Sequence, residues 1–256
     1  GLLERCDVGE TMADEDKSFV PDVVFDGGDL DCGSGLILLI RENIIKTPPE
    51  GILEMRSREP TVASDLPPWC RMAGHEYLGQ KEGERFTRYF IRRGSSEIED
   101  EKALEEDLEQ AKKYEWRLRS RSTGHLKSTV YSRNFSFEVG QPASFEEQDK
   151  HPCAVEYLFG ALAGSLATAF TTECAKENLE VDDIEISLSG SLNNILAHIG
   201  IEEGDPSIER IDLKCFASTF DDEEKVKAVW KRTVERSPVA ATLSKAVELN
   251  LKLALV

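Results

Sequence analysis

The chain of 256 residues is poor in the groups that build metal and disulfide sites. It has four histidines and neither a His-Glu-x-x-His motif nor a His-Cys cluster, so it implies no metal and no other cofactor. Its six cysteines, Cys6, Cys32, Cys70, Cys153, Cys174 and Cys215, contain no Cys-x-x-Cys pair. That spacing suits neither a disulfide framework nor zinc, and they read as free thiols. Gly-x-Ser-x-Gly, Walker and dinucleotide motifs are absent, as are internal repeats and low-complexity tracts. Positive charge is short: 31 Lys and Arg stand against 49 Asp and Glu, a formal charge of −18. Long-range repulsion then argues against a nucleic acid or an anionic membrane as partner. The longest apolar stretch runs from Val155 to Phe170, broken by Glu156. It is shorter than the roughly 20 residues that span a bilayer. The first residues lack the basic and apolar regions of a secretory signal, which predicts a cytoplasmic protein with an acidic tail over residues 1–21.

What is present is enough apolar content, 40%, for two cores. Over residues 22–93 short apolar runs alternate with helical ones, punctuated by Gly or Pro. The pattern predicts β-α-β-α-β-β, a small two-layer sandwich. Residues 94–113 predict a charged helical connector, with Ser96 and Glu99 at capping-box spacing and Leu104, Leu108 and Ala111 on one stripe. Residues 114–256 predict a second domain. Paired strands around a Thr-Gly turn lead to a long apolar helix from about Cys153 to Glu177 and strands in "IEISLSGSL" and "IERIDLKCFAST". The amphipathic helix "DEEKVKAVWKRTVER", a short helix after "SPV" and a last strand in "LNLKLALV" follow. The expected class is α+β throughout.

Within the first domain Asp26, Leu30 and Cys32, then "PPEGILEM", "EPTVASDLPPWC" and "GHEYL", resemble the TusA (SirA-like) sulfur carriers. The resemblance implies that a cysteine at the start of the first helix carries a persulfide to an acceptor. In that family the motif is Cys-Pro-x-Pro, whereas here it is "CGSG", with Gly33 and Gly35 in place of both prolines. A first-turn proline fixes φ, so its loss predicts a looser turn. At a helix N-terminus the dipole and unpaired N–H groups favour a thiolate, while Asp29 and Asp31 oppose it. Cys32 is either a sulfur carrier or a chemically idle capping residue, and Cys70 reads as packing.

In the second domain "HPCAVEYLFGALAGSLATAF" with "ERSPVAATL" resembles the OsmC/Ohr class of osmotically inducible and organic hydroperoxide resistance proteins. The resemblance implies an intertwined homodimer with the long helix buried between sheets. It also implies two peroxidase cysteines, whose places here are held by Ser165 and Ser237. A hydroxyl cannot form the sulfenic acid and disulfide of that cycle. By the same resemblance Arg133 stands for the family's strand arginine. Val155 occupies the position of the peroxidase glutamate, and Glu156 follows it. On an ideal helix Cys153 lies about 18 Å along the axis from Ser165 and Cys174 about 13 Å, so neither takes over within one subunit. Ser237 before Pro238 also reads as a helix N-cap, Ser165 as a small residue at a tight crossing, and Glu156 as a dipole complement or a pocket acid.

Two functions follow as expectations. One is sulfur handling or relay through Cys32, with a sulfur donor or acceptor protein as partner. The other is a non-enzymatic ligand-binding or scaffold dimer. A thiol peroxidase would require cysteines at positions 165 and 237.

Overall fold

A computed structural model of the chain describes residues 18–141 and 149–256, so Cys6 and most of the expected acidic tail lie outside the described residues. The class is α+β. The chain divides into two compact units: Asp31–Leu104 with the segment up to Phe25, and Glu105–Val256 with Asp26–Leu30.

The first unit contains β1 (Val23–Asp26) save its last residue, α1 (Leu36–Lys46), β2 (Ile52–Ser57), α2 (Val62–Ala73), β3 (Glu76–Glu82) and β4 (Thr87–Arg92), in sheet order β1-β2-β4-β3. β2 and β3 both run antiparallel to β4. Apolar residues at helical spacing on α1 (Leu36, Ile40, Ile44) and α2 (Val62, Leu66, Trp69) are buried together with Leu53, Met55 and Ile91 of the strands. α2 continues through Pro67 and Pro68 in spite of two missing N–H donors, because its buried face anchors it. Strand alternation puts Glu54 opposite Phe90 and Arg56 opposite Arg88. Glu54 is wholly buried and accepts hydrogen bonds from Arg56 Nε and Arg88 Nε, each at 2.9 Å. Burial alone would raise its carboxyl; the two guanidiniums outweigh that and hold it below its ordinary value.

α3 (Glu97–Lys112) follows. Leu104 and Leu108 are half-buried, Ala111 is exposed, and the one buried residue of the helix is Asp100. The second unit has two sheets. In one, β5 (Leu118–Gly124), β6 (Lys127–Ser132) and β7 (Phe135–Val139) pair antiparallel. In the other, β8 (Asp182–Leu192) runs antiparallel and β10 (Glu248–Leu255) parallel to the central β9 (Ile208–Ser218). α4 (Ala154–Lys176) packs on β8, on α6 (Glu223–Arg236) and on α7 (Pro238–Leu243). Its residues Leu162, Leu166, Phe170 and Cys174 recur every fourth position and form one buried stripe. Phe170 meets Trp230 of α6 edge-on at 5.2 Å. A short helix not foreseen from sequence, α5 (Ile195–His198), is capped by the Asn194 side chain, which accepts from the N–H groups of Leu196 and Ala197.

Within one chain the buried residues of α4 are Leu162, Leu166, Phe170, Cys174 and Ala175, while Leu158, one turn before Leu162, and Ala161 are exposed. With 23 residues, α4 is also long and apolar enough to cross a bilayer by length and composition, where the shorter apolar stretch in the sequence had argued against any span. The helix extends beyond that stretch at its C-terminal end, through Thr171 to Lys176, and its stripe is occupied by protein.

Phe170→Ala is expected to cost about 3–5 kcal/mol in the urea unfolding of the second unit, from lost burial and a residual cavity. Phe220→Ala, at a fully exposed phenylalanine, is expected to stay within about 0.5 kcal/mol. Equal midpoints for the two variants would contradict the assignment of the core.

Candidate functional site

Cys32 does not open α1. It begins a 3-10 turn, Cys32–Ser34, followed by Gly35 in the left-handed region at φ 101°, and α1 starts only at Leu36. Gly35 is needed there, since a proline has φ fixed near −65° and could not adopt this conformation. The turn thus holds an interposed left-handed residue that a proline at position 35 could not supply. The dipole argument for a thiolate fails with it. Cys32 is half-buried, and burial first, then the charges of Asp65 and Asp31, push its thiol above the ordinary value.

α2 packs against the turn and brings two groups to it. One is Asp65. The other is Cys70, which is wholly buried, and burial pushes its thiol up to about 12. Neither partner was identified from sequence, because Asp65 and Cys70 are more than thirty positions from Cys32 and only the packing of α2 makes them neighbours.

The positions marked in the second unit hold no shared constellation through hydrogen bonds. Ser165 is exposed on α4 and donates to the carbonyl of Leu162 at 3.1 Å. Ser237 is buried as the N-cap of α7, its Oγ accepting from the N–H of Ala240 at 3.1 Å. Glu156 is exposed in the first turn of α4 and accepts from the N–H of Cys153 at 3.0 Å, so it is a cap and not a pocket acid. Arg133 is not on a strand. It occupies the turn between β6 and β7 at φ 51°, with its guanidinium 5.1 Å from the Phe135 ring. The arginines that do lie on this sheet's strands are Arg119, stacked on Tyr131 at 4.8 Å, and Arg121. Cys174 and Cys215 are buried in the core, and burial pushes them up to about 12 and about 11. Among the described residues no group of three or more His, Cys, Asp or Glu is arranged to hold a metal ion.

Removing the Asp65 charge is expected to lower the Cys32 thiol and raise its thiolate fraction at neutral pH. Asp65→Asn should therefore speed iodoacetamide labelling of Cys32 a few-fold, while Cys174 and Cys215 stay unlabelled in the folded protein. An unchanged rate would remove Asp65 from the site.

Residues 147–252 match the family model described as OsmC-like protein. The N-terminal part is similar to the sulfur carrier protein TusA of Pseudomonas syringae pv. tomato, 27% identical over 84 residues, which are 33% of this chain and 99% of that protein. It is also similar to TusA of Pseudomonas putida strain GB-1, 29% identical over 75 residues, or 29% of this chain and 92% of that protein. Among solved structures, an OsmC-like protein from Mycoplasma pneumoniae superposes with a TM-score of 0.48 at 16% identity, covering 56% of this chain and 99% of that one. The organic hydroperoxide resistance protein OhrB of Bacillus subtilis gives 0.39 at 18% identity, covering 55% and 98%. The chain thus carries an OsmC-like domain at residues 147–252, preceded by a segment homologous to the TusA sulfur carriers.

Proposed function

We propose that this is a sulfur-handling protein in which Cys32 receives sulfur as a persulfide and passes it to an acceptor, joined to an OsmC-like domain without peroxidase chemistry. The observation that carries the reading is accessibility. In the unit homologous to TusA, Cys32 is the partly exposed thiol, whereas Cys70 is sealed. Burial and the charges of Asp65 and Asp31 raise the thiol, so the free cysteine is a slow nucleophile toward donor and oxidant alike. The described cysteines are all unpaired, which suits a reducing compartment such as the cytoplasm. A second copy is the natural partner of the OsmC-like domain. β5 is exposed along its whole length, and on α4 Leu158, one turn before Leu162, is left uncovered, as expected of surfaces that become interior in a dimer.

Incubation with a sulfane-sulfur donor, followed by peptide mass spectrometry, should find the added sulfur on Cys32 and none in Cys32→Ser. Labelling that spares Cys32, or survives that substitution, overturns the proposal.

A non-enzymatic binding role is the second reading. It is favoured by the two serine hydroxyls, both committed to backbone hydrogen bonds. In that case an apolar ligand should raise the melting temperature by several degrees even after every reactive thiol is alkylated. Persulfide turnover on Cys32 would count against it.

A further inference from the structure

The exit of β4 toward α3 is fastened by three polar side chains that the proposed sulfur chemistry does not use. Arg93 is 3% exposed; its Nη1 donates to the carbonyls of Ile45 at 3.2 Å and Thr47 at 2.6 Å, at the C-terminal end of α1. Its Nε donates to Asp100 Oδ2 at 3.0 Å, in the first turn of α3. The other oxygen of Asp100 faces His75 Nε2 at 3.5 Å. His75 Nδ1 accepts the N–H of Gly94 at 3.0 Å. Gly94 is itself pressed against the chain beside His75: a Cβ there would stand 2.3 Å from the carbonyl oxygen of Gly74.

This arrangement fixes the imidazole in one protonation state. Because Nδ1 is an acceptor, the ring's single proton sits on Nε2, toward Asp100. A second proton has to go onto Nδ1, where it meets the Gly94 N–H head-on and abolishes that bond. The charged groups around the ring set the balance. Asp100 of α3 favours the imidazolium, while Arg41 of α1 and Arg93 after β4 oppose it; from α2 the Trp69 ring lies 5.8 Å away. An open cleft of about 350 Å³, bounded by Glu50, Glu76 and Arg92 as well as the ring, gives solvent protons a route in.

We propose that His75 is a proton-operated latch on the start of α3: neutral, it holds Gly94 and, with Arg93 and Asp100, ties the helix to the first unit; protonated on Nδ1, it releases residues 94–100. The direction of the pH effect follows from the ring's surroundings. Burial, assisted by Arg41 and Arg93, holds His75 below its ordinary value of 6.5. The released state, with a solvated ring, therefore takes up the proton first. The latch is fully closed above that ordinary value and weakens as pH falls from it toward the depressed one.

Hydrogen exchange of the full chain tests this, compared at about pH 7.5 and about pH 5.5 after correction for intrinsic exchange rates. Protection of the amides of residues 94–100 should fall several-fold at the lower pH, up to the roughly tenfold that a single imidazole can supply over this interval, while those of β2 and β4 keep theirs. In His75→Asn the side-chain oxygen can still accept from Gly94 but does not titrate, so protection should no longer depend on pH. Should that variant not fold, the imidazole of the wild-type protein can be titrated by NMR, and loss of protection must follow its midpoint. Wild-type protection that is equal at both pH values, an equal loss in His75→Asn, or a loss that follows carboxylate titration overturns the proposal.

Discussion

The second unit rests on one repeat: Leu162, Leu166, Phe170 and Cys174, four residues apart on α4, turned into a single stripe against β8, α6 and α7. Burial of such a stripe is the largest favourable contribution available to a helix of this length, and it fixes the rotation of α4 about its axis. Everything else on the helix is placed by that choice. Cys174 is drawn into the core and raised beyond reactivity, and Ser165 falls outside the stripe. Ion pairs with α6 secure the helix end, with Glu173 facing Arg236 at 3.3 Å and Arg232 Nε at 3.7 Å.

In the first unit the same competition between burial and charge decides what each thiol can do. Cys70 belongs to the buried face of α2 and is removed from chemistry by the packing that holds the helix. Cys32 escapes burial only in part, and it meets two carboxylates where a reactive cysteine would have cations. The turn that presents it depends on glycine. A proline at position 35 would enforce a backbone this structure does not have, so the departure from the sulfur carriers' motif is built into the local conformation.

Much of the fold was legible because its signals are periodic and local. The β-α-β-α-β-β order, the ends of α4 and the amphipathic α6 follow from apolar spacing alone. So does the capping role of Ser237, written in the dipeptide with Pro238. What escaped was short or non-local. α5 is a single turn set by the Asn194 side chain, and Arg133 reads as a strand residue until the hairpin register places it in a turn. The cluster of His75, Arg93 and Asp100 gathers residues from three places in the chain, none with a sequence pattern that binds it to the others.

The sequence by itself determined which elements form, because hydrophobic period dictates helix or strand, and it places at positions 165 and 237 an alcohol, which lacks the redox range of a thiol. Only the tertiary structure decided how reactive each remaining cysteine is and where each charged side chain finds its partner. Ionisation depends on desolvation and on charges brought close by packing, and these belong to the folded arrangement rather than to neighbours along the chain.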